Sequence, residues 1–275
     1  MKINHPNYNV EIDTEKESIK DVLDKLEETY QKLPETKCLN CPMKETVEAD
    51  CCKVFSPPML LSEFTNAMTI ITEWPKEDQD KLAYACFESF LNPDIVKPCV
   101  LLKGTLCSIY NSRPLSCRLF GIYSDFEYNE RLEKISKELN VPKEDIPFSC
   151  QCRNLEVKTK GKGNLNFVSK QDSDKIFESL YKLDAKMFDS KEYGEYIVNS
   201  SLTYMPFDAH YLCVRIGPDN LDILTDMKLM LRDAKKKYEA NKEDSTLFLE
   251  FSKKEKEVQE FLKTVKNSLF IDTTD

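Results

Sequence analysis

The chain has 275 residues, of which 41% are hydrophobic, and its formal net charge is −9. A chain of this length can bury the core of one large domain or of two smaller ones, and its apolar content is not that of a disordered or a membrane protein. The acidic charge repels phosphate groups, and no basic stripe with interleaved aromatic residues offsets it. The composition therefore disfavours nucleic acid as a partner.

The N-terminal stretch MKINHPNYNVEIDTEKES has neither an apolar central region nor a cleavage site, so it does not resemble a signal peptide. No run of residues approaches the roughly 18 apolar residues that a membrane-spanning helix needs. We therefore expect a cytoplasmic protein that does not bind a membrane. Cytoplasmic thiols stay reduced, so eleven cysteines, an odd number, favour metal ligation or thiol chemistry over disulfide bonds.

Apolar periodicity predicts three helices in the first third of the chain. The first has Thr14 as its N-cap and Glu17 at the capping-box position, and it ends before Pro34. Its apolar stripe consists of Ile19, Val22, Leu23, Leu26 and Tyr30. A polar, proline-bounded loop with four cysteines follows, and two more helices are predicted over about 62–74 and 76–91.

A hairpin and two helices are predicted next. Two short β-prone runs flank Lys103 and Gly104, which is typical of a small hairpin. Pro114 suits the first turn of a short helix, and Gly121 suits its C-terminal end. An amphipathic helix is then predicted over about 125–139.

The composition changes near residue 153, and of the cysteines only Cys213 lies beyond that point. A second hairpin is predicted around Gly161 and Gly163, with short extended structure over about 202–216. Long helices are predicted over about 172–188, 219–240 and 245–269. The fold class is therefore mainly α with small β-hairpins, in a loop-rich cysteine-cluster half and a helical C-terminal half.

Nine of the eleven cysteines lie between residues 38 and 152, and they are Cys38, Cys41, Cys51, Cys52, Cys99, Cys107, Cys117, Cys150 and Cys152. The first two form a C-x2-C unit, which places two thiolates on one turn. The predicted hairpin brings Cys99 and Cys107 onto paired strands, and Cys117 lies on the helix that follows. These cysteines are the predicted metal ligands. Cys86 and Cys213 lie in apolar patterns and are expected to pack in the core.

Histidine contributes little to the predicted site, because the chain has only His5 and His210. His5 lies in a polar segment, and His210 is expected to make a local hydrogen bond. A metal bound mostly by sulfur suits zinc or an iron–sulfur cluster and disfavours magnesium, calcium or copper(II). These residues predict a cysteine-cluster metal-binding domain with an N-terminal helix over 1–153 and a mainly helical region over 154–275.

The cysteine pattern resembles that of a known family. CxxC followed by CC, then C-x7-C-S-I-Y-x2-R-P-x2-C-R-x-F and a further cysteine, is similar to the YkgJ-type cysteine-cluster family, which is described as chelating zinc or iron. The resemblance covers about residues 38–152. Nine residues separate Cys41 from Cys51, more than is usual in the family, so Cys51 is the less certain ligand of its pair. The last family cysteine corresponds to Cys150 or to Cys152.

The resemblance implies a role for the stretch CSIYNSRPLSCRLF. Cys107 and Cys117 would be ligands, and Arg113 and Arg118 would place positive charge beside an anionic thiolate cluster, which lowers thiol pKa values. The alternative for both arginines is an ordinary surface ion pair. Tyr110 would pack against the site, with its hydroxyl group as a donor to a ligand.

Two classes of function follow from this pattern. The first is a metal-binding protein whose Zn²⁺ or [4Fe–4S] cluster organises the loop-rich half, since structural zinc contributes on the order of 10 kcal/mol to folding. The alternative is an enzyme that uses the cluster, such as a protein-lysine N-methylase similar to the flagellin lysine methylases, or a redox or iron-handling protein. No glycine-rich nucleotide loop supports the enzyme, so a protein without catalytic activity is favoured. A protein partner is left open.

Overall fold

Helices make up most of the chain that the structure describes. The structure is a computed structural model, and the residues that it describes are 2–5, 10–33, 35–38, 52, 56–93, 97–104, 106–120, 125–139, 142–143, 155–158, 168–192, 194–195 and 204–269. The fold is mainly α with a few small strand pairs, which confirms the predicted fold class. Along this part of the chain, no helix is both long enough and apolar enough to cross a bilayer.

The helices follow the predicted order closely. They are α1 Glu17–Gln31, α2 Leu61–Ile71, α3 Lys76–Leu91, α4 Leu115–Arg118, α5 Asp125–Leu139, α6 Lys170–Ala185, α7 Phe207–Ile216, α8 Pro218–Ala240 and α9 Ser245–Leu269. The apolar stripe of α1 is buried at Ile19, Val22, Leu26 and Tyr30, as its periodicity predicts. On α9, Val258 and Leu262 are buried in the core, which agrees with a helix docked on the rest of the protein.

Four antiparallel strand pairs accompany the helices among the described residues. They are β1 Lys2–His5 with β2 Val10–Asp13, β3 Glu35–Cys38 with β7 Leu155–Lys158, β4 Pro58–Met59 with β8 Met205–Pro206, and β5 Leu102–Lys103 with β6 Leu106–Cys107. The pair β5–β6 is the hairpin predicted at Lys103 and Gly104. Cys107 lies on β6, but Cys99 precedes β5, so the prediction that paired strands carry both cysteines is wrong. Gly104 has φ +62°, a left-handed conformation that glycine adopts without steric cost.

The predicted cap of the first helix is wrong. The N-cap of α1 is Lys16 and not Thr14, the helix begins at Glu17, and the Lys16 side chain makes no capping hydrogen bond. Asp13 organises the turn instead. Its carbonyl accepts the Lys16 amide at 3.0 Å, and its carboxylate accepts the Glu15 amide at 3.0 Å. An aspartate that bonds to the backbone two residues later forms a turn before the helix starts.

The C-terminal half contains one strand pairing that the sequence does not predict and one element that differs from its prediction. The strand β7 pairs with the distant β3, and the hairpin predicted around Gly161 and Gly163 lies outside the described residues, as does Gly121. The extended structure predicted over 202–216 is confined to Met205–Pro206, and the helix α7 begins at Phe207. Every residue from 207 to 213 is buried, so this segment has no polar face, and apolar periodicity cannot distinguish a helix from a strand there.

One hydrophobic cluster contains residues from both sides of residue 153. It extends from Ile12 on β2 through Phe64 on α2 and Phe87 on α3 to Tyr211 on α7 and Leu262 on α9. The division of the chain near residue 153 stays a prediction, based on the change in composition.

A buried carboxylate also joins the two halves. Asp184 on α6 is 0% exposed and accepts the backbone amides of Leu61 and Ser62, each at 2.9 Å. The hydroxyl of Ser62 donates to the same carboxylate at 2.5 Å. These are the free amides at the N-terminus of α2, where a negative charge is favourable. Asp184 therefore caps α2 from a helix more than a hundred residues later in the chain.

Two histidines form a buried hydrogen-bonded chain that joins β1 to α7. Nε2 of His210 lies 3.1 Å from the Met59 carbonyl, and Nδ1 of His210 lies 3.1 Å from Nε2 of His5. Because a carbonyl only accepts, His210 carries its proton on Nε2, and His5 donates from Nε2 to Nδ1 of His210. Nδ1 of His5 then lies 3.9 Å from the thiol of Cys213. The hydrogen bonds of His210 are therefore made to residues distant in the sequence and not locally as expected, and His5 is buried although its segment is polar.

Burial lowers the pKa of His5 to about 3, and the neighbouring His210 acts in the same direction. In the unfolded chain the pKa of histidine is about 6.5, so the unfolded state binds the proton first, and stability is lost as the pH falls below that value. We expect the free energy of unfolding of the wild type, relative to that of His5→Gln, to fall by about 2 kcal/mol between pH 7 and pH 5. Urea unfolding of both proteins at each pH measures this difference. Parallel pH dependences would contradict it.

Candidate metal centre

Cys52 and Cys99 are joined through the backbone. The amide of Cys99 donates to the carbonyl of Cys52 over 2.6 Å, although 47 positions separate the two residues. Cys52 is half-buried, and Cys99 is buried. This bond holds Cys52 against the segment that enters the hairpin β5–β6. Two of the predicted ligands are therefore neighbours in space.

A buried ion pair fixes the segment that leads to Cys99. The ammonium group of Lys97 lies 3.0 Å from the carboxylate of Asp208 on α7 and donates to the Ser89 carbonyl at 2.6 Å. The Ser89 hydroxyl donates to the same carboxylate at 2.8 Å. The side chains of Lys97 and Asp208 are only 15% and 2% exposed. The helical core therefore anchors the chain two residues before Cys99.

The hairpin positions Cys107. Its two strands place Cys107 opposite Leu102, and Gly104 makes the turn between them. Immediately after β6, Ser108 donates to the Leu101 carbonyl twice, from its amide at 2.9 Å and from its hydroxyl at 2.7 Å. These bonds extend the pairing by one position and fix the backbone beside Cys107, which is half-buried.

The short helix α4 carries Cys117. Pro114 stands at its N-cap, and the amide of Cys117 donates to the Pro114 carbonyl at 3.0 Å. The Ser116 hydroxyl donates to the Pro58 carbonyl at 2.9 Å, which attaches α4 to β4. The prediction that Pro114 starts this helix is confirmed, with the helix beginning at the next residue.

A buried glutamate beneath α4 is a feature that the sequence analysis missed. Glu63 on α2 is 1% exposed. Its Oε1 accepts the Tyr30 hydroxyl at 2.5 Å and the Leu115 amide at 2.6 Å, and its Oε2 accepts the Leu60 amide at 2.8 Å. Burial raises the pKa of Glu63 to about 7, even though all three donors favour the charged form. The only sequence signal was a glutamate at the third position of a helix, where a carboxylate can reach back to the cap residue.

The two arginines of the CSIYNSRPLSCRLF stretch contact backbone carbonyls and tyrosine rings. Arg118 donates from Nε to the Arg113 carbonyl at 2.8 Å, and its guanidinium lies 4.1 Å from the ring centre of Tyr30. Arg113 donates from Nε to the Tyr110 carbonyl at 2.9 Å, and its guanidinium lies 3.7 Å from the ring centre of Tyr110. Burial lowers the pKa of Arg118. Both side chains therefore rigidify residues 110–118, and their role beside a thiolate cluster stays a prediction.

The remaining predicted ligands are described in part or not at all. The backbone of Cys38 ends β3 and pairs with Leu155 of β7. Cys41, Cys51, Cys150 and Cys152 lie outside the described residues. Within the described part of the chain, no three side chains of His, Cys, Asp or Glu are grouped closely enough to hold a metal ion. The convergence of the nine cysteines therefore stays a prediction.

Cys86 and Cys213 lie in the core, as their apolar surroundings predict. Both are 0% exposed and belong to the hydrophobic cluster. Burial raises the pKa of the Cys86 thiol well above its usual value, and the charge of Asp208 adds to this effect. A raised pKa disfavours the thiolate, which is the form that ligates metals.

Comparison with protein families finds a match in the cysteine-rich segment. Residues 37–137 match the CxxCxxCC family model. That family is described as "Putative zinc- or iron-chelating domain". The match confirms the resemblance that the sequence motifs indicate. The CxxCxxCC segment begins one residue before Cys38 and includes Cys117, and it ends before Cys150 and Cys152. No curated protein and no solved structure matches the chain.

The buried pair Lys97–Asp208 is expected to support the CxxCxxCC segment. Removing one partner of a buried pair leaves the other charge uncompensated, so Lys97→Met should lower the free energy of unfolding by about 3 kcal/mol. Lys81→Met is the matched control, because the ion pair of Lys81 with Glu77 is 66% and 79% exposed. Exposed pairs contribute about 0–1 kcal/mol. Urea unfolding measures the free energy of unfolding of both variants. If Lys97→Met and Lys81→Met lowered it equally, the pair Lys97–Asp208 would not stabilise the protein more than an exposed ion pair does.

Proposed function

We propose that the protein binds zinc or iron through cysteine thiolates and that the metal organises its cysteine-rich part. The observation that carries the proposal is the match of residues 37–137 to a family described as chelating these metals, in a chain whose described cysteines lie on anchored segments. Thiolates are the ligands that zinc and iron–sulfur clusters share.

Three of the proposed ligands lie on segments that the helical core holds in place. The ion pair of Lys97 anchors the segment of Cys99, the β5–β6 pairing sets Cys107, and Glu63 binds the first amide of the helix that carries Cys117. Cys52 adds a fourth thiol through its backbone bond to Cys99. The residues Cys52, Cys107 and Cys117 are half-buried, in contrast to the buried Cys86 and Cys213 of the core.

The pairing of β3 with β7 supports including the outer cysteines. The two strands are antiparallel, and Cys38 pairs with Leu155. Cys38 and Leu155 therefore lie at the same end of the strand pair. At this end the chain continues from Cys38 to Cys41, and it arrives at Leu155 from Cys152. Three residues span at most about 11 Å, which keeps Cys152 within reach of that end of the strand pair. We include Cys38, Cys41 and Cys152 in the proposed ligand set on this basis, and Cys51 and Cys150 because they belong to the same cysteine pattern.

The metal supplies structural cross-links between segments that are distant in the sequence. The chain's own residues hold the thiols, and Arg113 and Arg118 add positive charge near Cys117, which favours its thiolate form. The ligand set fits Zn²⁺ and [4Fe–4S] equally in its chemistry. Anaerobically purified protein that is brown and releases acid-labile sulfide would carry iron–sulfur, and colourless protein with stoichiometric zinc would carry a structural zinc ion.

Cys117→Ser and Cys86→Ser separate ligation from packing. Cys117→Ser replaces a thiolate with a poor ligand of the same size, so the purified protein should lose metal and its cysteine-rich loops should become sensitive to protease. Cys86→Ser should keep the full metal content and lose about 1–3 kcal/mol of stability by burying a hydroxyl group. Metal analysis by plasma mass spectrometry and limited proteolysis measure both effects.

The opposite pattern would show that the ligands are assigned wrongly. If Cys117→Ser kept the metal content of the wild type and Cys86→Ser lost it, the buried thiol would be the ligand. If the wild type itself, purified anaerobically, contained neither zinc nor iron, the proposed function would fail.

A further inference from the structure

Glu63 connects three helices at the base of the candidate metal centre. It lies in the first turn of α2, and its carboxylate accepts one hydrogen bond from α1 through Tyr30, one from its own helix through Leu60 and one from α4 through Leu115. Leu115 is the first residue of α4, and Cys117 follows two positions later. Glu63 thus links the helical core to the first backbone amide of the Cys117 helix, and the bond from Ser116 to Pro58 is a second attachment of this helix.

The contacts of Arg118 add a further attachment between α4 and the side chain of Tyr30. Its guanidinium packs on the ring of Tyr30, whose hydroxyl donates to Glu63, and its Nη2 donates to the Asn111 carbonyl at 2.5 Å. Both ends of α4 are therefore attached to the same pair of side chains, Tyr30 and Glu63. A four-residue helix makes few hydrogen bonds of its own, so such outside contacts decide its position.

We propose that Glu63 is a positioning residue for the metal site: it holds α4 so that Cys117 reaches the metal with the other thiolates. This inference rests on the proposed function. Groups that hold a ligand in place typically change metal affinity by about 10- to 100-fold when they are removed. Glu63 acts on the ligand through the backbone of α4 and does not itself bind the metal.

Asp184 provides a matched control for this role. It is also a buried carboxylate with three hydrogen-bond donors, and it binds the N-terminus of the same helix α2. Its hydrogen-bond donors named above belong to Leu61 and Ser62 of α2, whereas one donor to Glu63 is the Leu115 amide of α4. Replacing either carboxylate by its amide should therefore weaken the start of α2, and the change at Glu63 should in addition loosen the helix that carries Cys117.

The test compares Glu63→Gln, Asp184→Asn and Tyr30→Phe in the metal-loaded full-length protein. Metal release to an excess of a chromogenic chelator should be about tenfold faster in Glu63→Gln than in the wild type, and close to the wild-type rate in Asp184→Asn. Both variants should show a lower melting temperature. Tyr30→Phe removes one donor and keeps the Leu115 bond, so its release rate should change by only about twofold.

Equal release rates in Glu63→Gln and Asp184→Asn, at equal melting temperatures, would overturn the inference, because the effect would then follow stability alone. A second measurement does not depend on metal. In the metal-free protein, alkylation of Cys117 and hydrogen exchange of the Leu115 amide should be faster in Glu63→Gln than in Asp184→Asn. A wild-type protein without metal would contradict the proposed function. Equal hydrogen-exchange rates of the Leu115 amide in Glu63→Gln and Asp184→Asn would contradict the role of Glu63, whether or not the protein binds metal.

Discussion

The buried carboxylate of Glu63 is the interaction on which the cysteine-bearing helix depends. A short helix and an irregular loop bury too little apolar surface to fix their own positions, so they need polar contacts with a rigid support. Glu63 provides that support by accepting the Leu115 amide at the start of α4 while it stays bonded to Tyr30 on α1. Leaving any of these donors unpaired would cost about 1–3 kcal/mol, which makes the arrangement specific.

The same design recurs at two other buried carboxylates. Asp184 caps α2 from α6, and Asp208 on α7 pairs with Lys97 just before Cys99. In each case a helix of the core presents a carboxylate to backbone amides or to a lysine of a distant segment. The helical core therefore supplies the rigidity, and the cysteine-rich segment supplies the thiols. Metal binding would add a further link between the segments of Cys52 and Cys99, whose backbones are hydrogen-bonded, and the other cysteines.

The sequence predicted what local periodicity encodes and missed what distant contacts decide. The stripe of α1, the extent of α3, the turn at Gly104 and the helix after Pro114 were predictable, because each depends on neighbouring residues. The pairing of β3 with β7 was not, since a four-residue strand has no signal for a partner more than a hundred residues away. Glu63 was missed for a related reason: a glutamate in the first helical turn usually faces solvent, and only the fold buries it.

The claim that cysteine thiolates hold a metal in this chain is tested most directly by X-ray absorption at the zinc and iron edges of the anaerobically purified protein. The proposed site predicts a ligand shell of sulfur, with a metal–sulfur distance of about 2.3 Å for zinc. A shell made only of nitrogen and oxygen at about 2.0–2.2 Å would contradict it, because those distances belong to histidine and carboxylate ligands.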